Sequence, residues 1–328
     1  MKNRLLRHIG SVLLTASLLA LAACGGGGGG GKAQSVLDAQ SDQDIARRII
    51  SVGGLIFGMG EGLADGALGG LSAAIDGGVT SGPVLDTCTT GGATMTITDA
   101  GEAGVFDAGD AIEITFNNCT SDGDTINGKI RLEVTSLTDG FVYDTTGTAG
   151  VKVTFTNLST QTTEDGKPVT YTLDGSWDGS LTYENGGAKV TFVAQVPANG
   201  SFSLSRSEQG GDQAAMTAQG LTETAVIDQG LNSYTLDFGA DTITFTAGSY
   251  AQASFKVTTD PLIRGPLDMD GDPDDPTEGT ILVEEKNGRA AMKLEIMSDS
   301  QVKVSVDADG DGVFESSETV SWTALAGD

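Results

Sequence analysis

Histidine is nearly missing from this chain, and cysteine and aromatic residues are scarce: one His, three Cys and 5% Phe, Trp and Tyr in 328 residues. The single histidine, His8, stands close to the N-terminus. Beyond it no imidazole is available as a general base, as part of a Ser-His-Asp triad or Cys-His dyad, or as a metal ligand. Basic residues are also few, 18 Lys and Arg against 45 Asp and Glu, for a net charge of −27. Nucleic acids and anionic headgroups are bound through cationic contacts, so a nucleic-acid partner is excluded. No apolar run reaches the roughly 20 residues that a membrane-spanning helix requires. A nucleotide loop is lacking as well. Gly58-Met59-Gly60-Glu61-Gly62 follows no strand-like run and has no third glycine in dinucleotide spacing, and no Gly-Lys-Ser/Thr occurs.

What is present begins with Lys2, Arg4 and Arg7, followed by a short apolar run from Ile9 to Leu21 and then by Leu21-Ala22-Ala23-Cys24. A basic head, a short apolar middle and small residues make a secretory signal rather than a membrane span. The four residues ending at Cys24 resemble the lipobox of the bacterial lipoprotein family. That resemblance implies a signal peptide over 1–23, cleavage before Cys24, a diacylglycerol thioether on Cys24 and fatty acylation (palmitate) of the new amino group. It implies a membrane partner through the lipid anchor, and with Gly25 rather than aspartate next, the outer membrane. Residues 24–41 carry the uninterrupted run Gly25 to Gly31. Such a stretch is a flexible tether with a reach of roughly 20 Å.

Residues 42–80 read differently. Asp44-Ile45-Ala46-Arg47-Arg48-Ile49-Ile50 has the early acid and apolar spacing of a helix start. Gly54, Gly58, Gly62, Gly66 and Gly70 fall four apart, as in a glycine zipper. Glycine at about 1 kcal/mol per position weakens a helix, so the segment is expected to be helical or irregular. Glu61 and Asp65 argue against a bilayer span.

Over 81–328 the apolar period becomes two. Met95 and Ile97; Ile112, Ile114 and Phe116; Ile130, Leu132 and Val134; Val151, Val153 and Phe155 each alternate with polar or small residues. So do Tyr234, Leu236 and Phe238; Ile243 and Phe245; Met292, Leu294 and Ile296; and Val302, Val304 and Val306. This pattern predicts half-buried antiparallel strands and a mainly β fold: one large antiparallel sheet assembly, a sandwich or a rolled sheet. Asn185-Gly186 and Asn287-Gly288 are hairpin signals, and Asn127-Gly128 and Asp174-Gly175 read as similar turn punctuation. Trp177 and Trp322 sit in strand patterns and are expected to pack. With Cys24 lipidated, Cys88 and Cys119 form an even pair in an oxidising compartment, which predicts a disulfide.

The sharpest motif is Asp307-Ala308-Asp309-Gly310-Asp311-Gly312-Val313-Phe314-Glu315-Ser316-Ser317-Glu318. It resembles the twelve-residue EF-hand calcium loop, with acids at positions 1, 3, 5, 9 and 12 and glycine at 6. The resemblance implies structural Ca²⁺ held by side chains of Asp307, Asp309 and Asp311, the carbonyl of Val313, Glu315 directly or through water, and Glu318 as a bidentate ligand. The flanks read as strands, so the expected picture is a cation-pinned hairpin rather than a helix pair that opens. Asp268-Met269-Asp270-Gly271-Asp272-Pro273-Asp274-Asp275 has alternating acids but Pro273 where the loop needs glycine. Asp99 to Asp110 resembles the same loop but has Gly101 and Ala103 at ligand positions, so chelation is not expected there. The stretch from Cys88 through Cys119 to Asn127-Gly128 resembles modules of uncharacterised β-rich bacterial lipoproteins, which implies no activity.

The expected function is therefore a membrane-anchored, non-enzymatic β-domain with a structural, adhesive or binding role toward a protein or glycan. The alternatives are a carboxylate-based hydrolase acting on polysaccharide, which needs two acids but no histidine, and an accessory subunit of an envelope assembly or transport complex.

Overall fold

A computed structural model of the chain describes Leu71, Ile75, Gly82–Pro83 and residues 88–321, apart from 122, 144, 165, 209–212, 248–249, 269–275 and 287–289. The expected signal peptide, Cys24, the tether, most of 42–80, the greater part of the 268–275 acidic cluster, Asn287-Gly288 and Trp322 lie outside the described residues.

The expected mainly β fold is what the chain adopts. Among the described residues sixteen strands form a single hydrogen-bonded sheet, and every pairing in it is antiparallel. The strands are β1 (Gly82–Pro83), β2 (Thr90–Thr98), β3 (Ala111–Ser121), β4 (Asp124–Leu137), β5 (Gly147–Glu164) and β6 (Lys167–Glu184). Next come β7 (Lys189–Val196), β8 (Phe202–Glu208), β9 (Gln213–Asp228), β10 (Ser233–Ala247) and β11 (Tyr250–Thr259). The last are β12 (Ile263–Pro266), β13 (Gly279–Glu285), β14 (Ala291–Ser298), β15 (Gln301–Asp307) and β16 (Ser316–Ser321).

The sheet is a meander in which each strand lies beside its predecessor, with two interruptions. β7 and β8 share one column, pairing with successive parts of β6 on one side and of β9 on the other. β11 and β12 likewise share the column beyond β10. Hairpin connections account for this order, because antiparallel neighbours need only short turns. Asn185 and Gly186 adopt φ values of 56° and 71° at the β6–β7 hairpin, as their sequence suggests. At the other predicted hairpin the flanking strands β13 and β14 pair from Glu284 and Ala291 outward.

Asn127-Gly128 and Asp174-Gly175 are not turns: both lie inside strands, at bulges. Asn118 on β3 and Asn157 on β5 take φ near 47° and 46°, and each is an extra residue in its strand. The N–H of Asn118 donates to Asn127 Oδ1 (2.8 Å), and that of Asn157 donates to Asp174 Oδ1 (2.8 Å). The glycines then leave room for carbonyls of the next strand. A Cβ on Gly128 would lie 2.2 Å from the Asn157 carbonyl oxygen, and one on Gly175 would lie 2.2 Å from that of Ser201. The same device at Gly91 faces Asn118, so the bulges line up across β2 to β8 as one crease. Bulges bend a strand and raise its twist.

The extra residues also keep the inner face apolar. Ile112, Ile114 and Phe116 are followed inward by Cys119, and Val151, Val153 and Phe155 by Leu158. A period-two strand would otherwise present its polar set from that point on. The inner face forms one apolar cluster reaching from Ala93 to Val306. Leu71 and Ile75, the two described residues of the 42–80 segment, are helical and buried in that cluster. Trp177 is 1% exposed and meets Phe192 edge to face at 5.8 Å.

Cys88 and Cys119 form the expected disulfide, tying the chain just before β2 to β3 across 31 residues. Closing a loop of that length stabilises the fold by about 3–4 kcal/mol. Guanidinium unfolding of the Cys88→Ser/Cys119→Ser double variant is expected to show a loss of that size, with the native far-ultraviolet β spectrum retained.

Candidate metal centre

The candidate metal centre is built where β15 ends. β15 runs Gln301–Asp307, buries Val302, Val304 and Val306, and delivers Asp307 at 3% exposure to the sheet rim. There the chain leaves the sheet and returns as β16 at Ser316. Gly310 and Gly312 turn the loop with φ of 76° and 88°, conformations that glycine adopts without a Cβ penalty.

Backbone amides aim the carboxylates. Asp307 accepts from the N–H of Gly310 at Oδ1 (2.7 Å) and of Gly312 at Oδ2 (2.8 Å). Asp309 accepts from Asp311 N–H (3.2 Å), Asp311 from Val313 N–H (2.8 Å) and Glu315 from Ala308 N–H (3.1 Å). From outside the loop, the Lys293 ammonium of β14 sits 5.1 Å from the Phe314 ring centroid, a cation–π contact beside the acids.

The result is four carboxylates, those of Asp307, Asp309, Asp311 and Glu315, with one oxygen from each within 4.8 Å of the others. Asp307 is buried and the other three are exposed, so an ion can enter from solvent. An all-oxygen donor set without nitrogen or sulfur suits a hard cation. Such a group can hold a metal ion, and its anionic oxygens repel one another until one is bound.

Val313, predicted to lend its carbonyl, lies on the loop at 61% exposure. Glu318 lies on β16 opposite Val304, exposed and outside the set of four. The four converging carboxylates thus lie within 307–315.

The 99–110 loop uses its acids for itself. Asp110, fully buried, accepts from the N–H groups of Ala100 (2.9 Å) and Asp107 (2.8 Å) and holds the turn between β2 and β3. Asp99 accepts from Gly104 N–H (2.9 Å) and Asp107 from Glu102 N–H (3.1 Å). These hydrogen bonds hold the loop's shape.

On the outer face a hollow of about 300 Å³ spans the columns from β7 to β11 over Gly220 and Gly239, with Asp241 as its carboxylate. Sequence reasoning did not foresee two further buried acids, Glu223 on β9 at 1% exposure and Glu285 on β13 at 5%. Thr222-Glu223-Thr224 looks like an outward-facing polar run, and nothing in its spacing marks the glutamate as internal.

The class defined by the described residues is a single-sheet, all-antiparallel β protein with an acidic loop, able to hold a metal ion, between β15 and β16. No family model, curated protein or solved structure matches the chain.

Proposed function

We propose that this chain is a lipid-anchored protein of the bacterial envelope that presents a non-enzymatic β-domain to a protein or glycan partner, and that Ca²⁺ pins its final hairpin. The observation that carries the calcium part is the convergence of Asp307, Asp309, Asp311 and Glu315 within 4.8 Å. Calcium fits because it accepts many oxygens in irregular geometry, whereas magnesium demands a near-ideal octahedron and gives up water reluctantly. The loop joins β15 to the edge strand β16, so an ion there links the last strand to the buried end of its neighbour. The anchor rests on Leu21-Ala22-Ala23-Cys24 and the basic and apolar stretch before it. The non-enzymatic part rests on the lack of imidazole beyond His8 and on both remaining cysteines being spent in a disulfide.

Calcium titration followed by thermal melting tests the site. A ligand that binds only the folded state at a hundred times its Kd stabilises by about 2.7 kcal/mol. The melting temperature is expected to rise with Ca²⁺ and fall back with EDTA, and D307N and D309N are expected to remove the response. An unchanged melting curve in excess Ca²⁺ rejects the calcium assignment. Mass spectrometry of the envelope-derived protein tests the anchor: acylated Cys24 at the N-terminus is expected, and the C24S protein is expected to leave the membrane fraction.

A further inference from the structure

Glu223 sits in the middle of β9 among apolar residues. It lies opposite Ala194 on β7 and Phe238 on β10, and Ala194 in turn lies opposite Gly179 on β6. Its neighbours on the inner face are Leu221 and Ala225 on its own strand, Phe192 and Val196 on β7, and Leu236 and Ala240 on β10. None of these titrates. Neither carboxylate oxygen has a hydrogen-bond partner among the described residues. A buried carboxylate in this position lacks the pairing that makes ionisation tolerable, whereas the neutral acid loses far less on leaving water.

We propose that Glu223 is a proton-dependent lock on the centre of the sheet: it is held inside as the neutral acid, and loss of its proton separates β9 from β7 and β10. Burial alone pushes this carboxyl well above the usual carboxylate range. The unfolded chain releases the same proton near the ordinary value of 4.5. Between these two values the folded state binds one proton more than the unfolded state, so stability falls as pH rises. The folding constant drops about tenfold per pH unit until the folded group itself ionises. The composition keeps this window quiet. His8 is the only imidazole, and the Cys88–Cys119 pair does not titrate. A chain poor in histidine thus takes its response to neutral pH from a glutamate.

The experiment is equilibrium unfolding of the full chain at several pH values between about 5.5 and 8.5, in EDTA so that the metal loop plays no part, for wild type and E223Q. The ratio of their folding constants is expected to fall about tenfold per pH unit, and amide exchange of β9, corrected for intrinsic rates, is expected to accelerate with pH in the wild type alone. Parallel stability curves overturn the proposal. Should E223Q not fold, E223L takes its place. Independently, infrared spectra of wild type labelled in its glutamates are expected to show a protonated carboxylic acid at neutral pH, and its absence overturns the proposal whatever the variants do.

Discussion

Trp177→Ala is expected to cost about 3–5 kcal/mol, the range for truncating a fully buried aromatic residue. Trp177 is the largest of the fully buried side chains, and its indole lies over the inner face of Gly179. A Cβ on that glycine would approach Trp177 Cζ3 to 2.8 Å, so ring and glycine are matched in volume. Phe192 closes the ring's edge from β7. The sheet backbone on either side is pinned by β5 and β7 pairing and cannot collapse into the gap, which places the expected loss toward the upper end of the range. Urea unfolding monitored by far-ultraviolet circular dichroism measures it. A loss below about 1 kcal/mol would show that the interior refills the space.

Gly128→Val is expected to be comparably damaging for a different reason. Gly128 holds φ of 102°, a conformation that a β-branched residue adopts only under strain. Any Cβ there runs into the Asn157 carbonyl oxygen at 2.2 Å, which belongs to backbone and cannot swing away. Strain of about 1–2 kcal/mol and an overlap of about 1–3 kcal/mol act together at one point of the crease. The variant is expected to lose about 2–5 kcal/mol or to move the β4–β5 register. Amide exchange across β3, β4 and β5 reports which. Gly104→Val is the control: it also has positive φ, but a Cβ there meets nothing within 4 Å, so only the conformational part is expected.

How much of this was legible in the sequence differs by strand. β3, β4, β14 and β15 carry branched or aliphatic residues at every second position and announce themselves. β6 and β9 do not. The inner positions of β6 include Gly179, and those of β9 are Met216, Ala218, Leu221, Glu223 and Ala225, with a one-residue shift at Gly220. Small residues, a buried acid and a phase break remove the periodic contrast on which a period-two reading depends. The runs at Tyr234–Phe238 and Ile243–Phe245 look separate for the same reason, yet both belong to β10, with the shift at Asp241. The turn reading of Asn127-Gly128 and Asp174-Gly175 failed because a glycine at positive φ, as Gly128 and Gly175 are, serves a bulge inside a strand as well as a turn at its end.

At the acidic loop the convergence of Asp307, Asp309, Asp311 and Glu315 was readable because alternate residues of a tight glycine turn converge whatever flanks them. Glu318 falls outside that group. Once β16 begins at Ser316, the extended chain advances about 3.3 Å per residue and carries Glu318 away along β15. A helical flank would have folded it back toward the ion.

The line of bulges from Gly91 to Ser201 also has a genetic consequence. Asn118 and Asn157 are surplus residues, so excising either codon leaves Cys119 or Leu158 facing inward and merely straightens the strand. Excising a codon for Ile114 or Val153 instead turns one arm of its strand inside out. Single-codon deletions are therefore expected to be tolerated at Asn118 and Asn157 and rejected elsewhere along the same strands.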